Sequence, residues 1–206
     1  DVYKRQHVRA AEARGGRLPA AKAIAAQAAV DGGVGDGVAA EVLYPSVGMV
    51  LCNHPDLDYK KACFDAYNRW IADFCRESRG RLVPIAQLTL LDAEASADEL
   101  ERAVADGCRG GFIAPYTHSK KAHGHPDHDV LWSRAASLGV PMAIHPTFEP
   151  FWAAPVRFKR LGMARELFYN VMLKQGVQQA FFSFIALGTL DRIPDLKLGI
   201  LEAGAG

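Results

Sequence analysis

The chain has 206 residues, half of them apolar, and a formal net charge of +1 with acids and bases interspersed. That length carries one sizeable domain with a buried core, and the composition excludes disordered and collagen-like classes. Without a block of like charges, and without the ~18 consecutive apolar residues of a spanning helix, neither nucleic acid nor a membrane is expected as partner.

The chain opens on DVYKRQ, with no initiator Met, and residues 1–6 read as a non-native prefix. The Ala-rich stretch Ala20–Val30 carries Lys22 and Gln27 and lacks a signal-peptide cleavage pattern. GGVGDG (Gly32–Gly37) precedes a strand instead of following one, so it reads as a turn and not a phosphate cradle. Val38–Tyr44 is then a strand ended by Pro45. A helix is expected over roughly Tyr59–Ser78, with Tyr67, Trp70, Ile71 and Phe74 on one face. Arg81–Leu88 is the next strand, interrupted by Pro84, which cannot donate to a ladder. Ser96 and Glu99 have the spacing of a capping box for a helix with Leu100, Ala103 and Val104 as its stripe and Gly107 as its stop. Gly110–Pro115 is a short buried strand. A polar loop holding four histidines leads to a helix that begins near Asp129, buries Trp132, Ala135 and Ala136, and ends at Gly139. Val140–His145 is a strand, followed by helical stretches at about Arg157–Lys174 and Val177–Leu190, and by a last strand, Leu196–Leu201.

Strands apolar on both faces, each separated by a helix, imply a parallel sheet covered by helices. A doubly wound sheet predicts a Gly-rich phosphate loop after its first strand, and none is present. The alternative, part of a TIM-type (β/α)8 barrel, predicts polar residues at the carboxyl ends of strands. His145 closes one strand and Glu202 another. Imidazole there can bind a metal through a neutral nitrogen, and a strand-end carboxylate can bind metal or move a proton; a hydrogen-bonded histidine and a helix-capping or ion-paired glutamate are the plainer readings. The tract His118, His123, His125 and His128 suits a mobile loop over an active-site mouth, with one or two histidines, His118 first, reaching substrate. His54 reads as a turn residue. Phe148, Phe151 and Trp152 can wall an apolar substrate pocket, and Arg157 and Lys159 can pair with a carboxylate. Cys52, Cys63, Cys75 and Cys108 lack any C-x-x-C pair and read as buried thiols in a reducing, cytoplasmic setting.

Four segments, EVLYPSVGM (41–49), AYNRWIADFC (66–75), MAIHPT (142–147) and IPDLKLGILEAGAG (193–206), together resemble the amidohydrolase-related family, which includes aminocarboxymuconate-semialdehyde decarboxylase-like enzymes. The resemblance implies a (β/α)8 barrel with a divalent metal, zinc or alternatively manganese, at its C-terminal face, and a homodimer. It makes His145 the fifth-strand metal ligand and sets Glu202 where the family's sixth-strand histidine stands. The family's first-strand His-x-His and its aspartate after the eighth strand have no counterpart in residues 1–206. The chain is therefore expected to be a single barrel domain truncated at both ends, with its first and last strands missing. The function this implies is metal-dependent hydrolysis of a small amide, ester or lactone by an activated water. The alternatives are non-oxidative decarboxylation of a small aromatic or unsaturated acid, and a non-catalytic barrel that binds a small molecule.

Overall fold

The computed structural model describes residues 37–147 and 164–204. Six short strands are present there: β1 (Glu41–Leu43), β2 (Leu82–Pro84), β3 (Ala86–Gln87), β4 (Gly111–Ile113), β5 (Met142–Ile144) and β6 (Leu198–Ile200). All pair in parallel, β1 with β2, and β3 through β6 each with the next. The expected strand Arg81–Leu88 divides at Ile85, but its hydrogen bonds run through the division. The carbonyl of Pro84 accepts from Arg109 N–H, and Ile85 N–H donates to the carbonyl of Leu43. β2 and β3 thus fill one strand position between β1 and β4. Five positions in strict chain order, with no reversal, make part of a (β/α)8 barrel wall and not a doubly wound sheet.

The helices are α1 (Ser46–Leu51), α2 (Leu57–Cys75), α3 (Ala93–Asp106), α4 (Asp129–Ser137), α5 (Ala164–Ala186) and α6 (Thr189–Arg192). Helix α2 starts at Asp56, whose carboxylate accepts from Tyr59 N–H at 2.9 Å. Its buried face is Lys60, Phe64, Asn68, Ile71, Ala72 and Cys75. Of the expected stripe only Ile71 is fully buried; Trp70 is 44% exposed and stacks on Phe74 along the flank. The apolar stripe is crossed by two polar residues that the structure buries, so the aromatic row misplaces it by part of a turn.

Helix α3 is capped by Asp92, not by Ser96. Asp92 accepts from Ala95 N–H at 2.7 Å, while Ser96 lies one turn inside and donates its hydroxyl to the Asp92 carbonyl. Glu99 is drawn to Arg102 and Asn68 instead of back to a cap. Gly107 ends the helix at φ 124°, a left-handed conformation that a side chain would strain. The two expected C-terminal helices are one: α5 runs unbroken through Gly176, whose cost of about 1 kcal/mol relative to alanine is offset by burying Val177, Ala180 and Phe184. These residues join Leu100, Leu131, Trp132, Met142 and Ile144 in the main core between helices and strands. Among the described residues no helix is long and apolar enough to cross a membrane.

Candidate active site at the strand ends

β5 and β6 are held in register past their last residues. Leu201 N–H donates to the Ile144 carbonyl at 3.0 Å, and His145 N–H to the Ile113 carbonyl at 3.4 Å. His145 and Glu202 therefore leave adjacent strands side by side, with His145 Nε2 3.6 Å from Glu202 Oε1. His145 is largely buried, edge-on to Phe112 at 5.9 Å, while Glu202 is 70% exposed and has φ 51°. The other nitrogen of His145, Nδ1, is 2.6 Å from the carbonyl of Pro146. A carbonyl can only accept, so Nδ1 carries the proton and the lone pair of the neutral ring is on Nε2. Nε2 thus faces the Glu202 carboxylate, a contact that an imidazolium makes as an ion pair and that a neutral ring can share with a cation.

Their separation suits a cation. Two ligands about 2.0–2.2 Å from one tetrahedral ion lie roughly 3.3–3.6 Å apart. An imidazole backed by a carbonyl is the usual form of a metal-binding histidine. The pair is nevertheless two donors: among the described residues no group of three or more His, Cys, Asp or Glu gathers around one point.

The wall beside this pair comes from the loops after β1, β3 and β4, at the same end of the strands. The amide of Gln87, at the end of β3, donates to Cys52 Sγ at 3.4 Å, and Thr147 also contacts that thiol. Burial pushes the Cys52 thiol up to about 11, so it is inert as a nucleophile. Gln87 is itself fixed by Asn68. On the β1 side of β3, past Leu43, no strand borders it among the described residues, and the Asn68 amide substitutes for one, accepting from Gln87 N–H at 2.7 Å and donating to the Gln87 carbonyl at 3.0 Å. Gln87 Oε1 is buried without a hydrogen-bond partner among the described residues. It lies against Gly48 of α1, where an added Cβ would fall 1.8 Å away.

Lys60, from the first turns of α2, is 2% exposed and donates to the carbonyl of Cys52 at 3.3 Å and to His118 Nε2 at 2.6 Å. Burial lowers the lysine. Burial first, and the charge of Lys60 second, push His118 down to about 4. The Tyr116 hydroxyl donates to the same Cys52 carbonyl. Lys60 and Gln87 were not among the residues marked from sequence, while Cys52 is the buried thiol expected. The available signal was Lys60 in phase with Phe64 and Ile71, a lysine on an apolar helix face.

The histidine loop differs from the mobile loop expected. His123 is fully buried with Nε2 on the Ala114 carbonyl at 3.0 Å, and its own carbonyl accepts from Trp132 Nε1 at 2.9 Å. His128 is buried too, its Nδ1 near the carbonyls of Ala122 and His123. These two pin the loop to the core. His125 lies at the surface beside Asp127, so His118 alone of the four borders the mouth. His54 holds a turn, accepting from Asp56 N–H at 3.2 Å. Phe148, Phe151, Trp152, Arg157 and Lys159 lie outside the described residues.

Comparison with known proteins agrees with this architecture. A family model described as Amidohydrolase matches residues 55–206. Decarboxylase orsB of Emericella nidulans is 32% identical over 134 residues, covering 60% of this chain and 38% of that protein. Among solved structures, an amidohydrolase from Mycobacterium avium subsp. paratuberculosis K-10 superposes with a TM-score of 0.70 at 20% identity, covering 87% of this chain and 48% of that one. A dihydroxybenzoic acid decarboxylase from Polaromonas sp. JS666, with bound manganese and 2-nitroresorcinol, gives 0.62 at 18% identity, covering 82% and 52%. The chain thus spans about half the length of these solved relatives and less of the curated one. The family match extends over well more than half of its residues, and the chain belongs to the amidohydrolase family.

Proposed function

We propose that this chain forms part of a metal-dependent enzyme that decarboxylates a small aromatic acid without an oxidant. The observation that carries the metal is the pair of facing acceptors, His145 Nε2 and Glu202 Oε1 at 3.6 Å. Hydrolysis was the first expectation from the sequence, on the strength of Glu202. The likeness to decarboxylase orsB, and the fold shared with a manganese-bound dihydroxybenzoic acid decarboxylase, favour the carboxy-lyase.

A nitrogen and a carboxylate oxygen suit zinc or manganese about equally. Bound there, the metal supplies Lewis acidity toward substrate oxygens. His145 orients through its Pro146 hydrogen bond, and Phe112 keeps water from one side of its ring. In decarboxylation the bond between the ring carbon and the carboxylate breaks, carbon dioxide leaves, and a proton takes the electron pair left on carbon. Glu202, the more exposed of the pair, is the described group placed to share the metal or to deliver that proton. His118 borders the mouth beside this pair, and on the basis of sequence we assign substrate contact to Phe148 and Trp152.

The test is product analysis of the full-length protein with dihydroxybenzoic acids and aromatic dicarboxylic acids alongside simple aryl esters and lactones. Metal-dependent carbon dioxide release with no ester turnover is expected. Ester or lactone hydrolysis without carbon dioxide would restore the hydrolase reading. No turnover of either kind, with a dihydroxybenzoate bound, would favour the non-catalytic barrel.

A further inference from the structure

We propose that Lys60 is the cationic anchor of an anion subsite at the barrel mouth, holding a substrate carboxylate in the place that His118 fills without ligand. Lys60 is 2% exposed, yet no ion pair among the described residues includes it. Among the described residues its ammonium meets neutral acceptors, the Cys52 carbonyl and His118 Nε2. A buried cation without an anion is costly, and a lysine ordinarily avoids the cost by extending its head group to water. The next residue does so: Lys61 reaches the surface and pairs with Asp65 at 2.6 Å. Helix α2 instead turns Lys60 inward, in phase with Phe64 and Asn68.

The position fits a ligand role. Lys60 follows the loop after β1, His118 lies in the loop after β4, and the two meet at the end of the strands that bears His145 and Glu202. Cys52 ties the cluster to Gln87 and to Thr147, two residues past His145. Within the Lys60–His118 pair the imidazole is the solvent-accessible partner. It is also held neutral beside the lysine, so a carboxylate arriving from the mouth is the stronger acceptor and displaces it. The carboxylate at Lys60 is one that the substrate keeps. A departing carboxylate loses its charge as carbon dioxide, and an ammonium paired with it would stabilise the ground state over the transition state. The identity of the anion rests on the carboxy-lyase reading; the subsite itself rests on Lys60.

Benzoate is the probe and benzamide its uncharged control, titrated calorimetrically into the full-length His145→Ala protein so that metal-bound benzoate does not contribute. Benzoate binding is expected to persist there and to weaken at least about tenfold when Lys60→Met is added, with benzamide indifferent to Lys60. His118→Ala, with Lys60 intact, is expected to bind benzoate at least as tightly as its parent, because nothing need be displaced. The proposal is overturned by no benzoate binding in the His145→Ala protein, by an unchanged dissociation constant in folded Lys60→Met, or by loss of binding in His118→Ala. The last arm decides the matter if Lys60→Met does not fold. Carbon dioxide release by the parent protein is read separately. An inert, metal-free parent that binds benzoate through Lys60 removes the carboxy-lyase reading and keeps the subsite.

Discussion

His145 Nε2 and Glu202 Oε1 stand at a separation that two ligands of one ion can span. Glu202→Gln separates the two roles proposed for the carboxylate. An amide still offers an oxygen to a metal but cannot carry a proton, so retained metal with activity lowered at least about a hundredfold identifies proton transfer. Loss of metal and activity together identifies ligation. The buried His123 makes a different prediction. Burial holds it at about 4, well under its unfolded value near 6.5, so the unfolded chain binds the extra proton between those values. Stability should be full above about pH 6.5 and should fall by roughly 3 kcal/mol as the pH drops to about 4. His118 adds a smaller part, since water screens it. Urea midpoints measured at pH 7 and pH 4.5 check this, and equal midpoints contradict it. At this scale the strand-end positions of His145 and Glu202 were legible, because each follows an apolar strand. The sequence did not disclose which histidines of the tract are buried, since that is decided by carbonyls and an indole brought from Ala114 and Trp132.

Helices and strands were legible wherever the apolar rhythm was uninterrupted, and misread where a polar side chain entered the core. Asn68 carried no mark in the sequence, but it completes the hydrogen bonding of β3 where β1 has already ended. Asn68→Leu keeps the volume and strands two buried backbone groups of Gln87. A loss of about 2–4 kcal/mol is expected, against the few tenths typical of surface substitutions on the same helix. The cap of α3 was misassigned because Ser96 and Glu99 have capping-box spacing, while Asp92, one turn earlier, is the residue with extended backbone. Asp92→Ala should cost about 1 kcal/mol and Ser96→Ala less; chemical denaturation of the two variants ranks them directly. Gly48→Ala places a methyl on the Gln87 amide. Because that amide is packed between Cys52 and α1, it cannot swing clear, and the variant should melt at a lower temperature than the parent.

Over the whole chain, parallel strands in chain order place every strand-end loop on one face, which is why residues as distant in sequence as Lys60, His118, His145 and Glu202 meet there. The strand–helix alternation made the barrel type readable, but it could not show that Lys60 from the start of α2 lies on His118 from the loop after β4. Among the described residues β1 and β6 each pair with a single strand. The metal pair is the account's centre and has a direct test: elemental analysis of the full-length protein, purified without chelators, beside its His145→Ala variant. The account predicts about one equivalent of zinc or manganese in the parent and little in the variant. A parent without metal, or a variant that keeps the parent's content, would contradict it and leave His145 a hydrogen-bonded strand-end histidine.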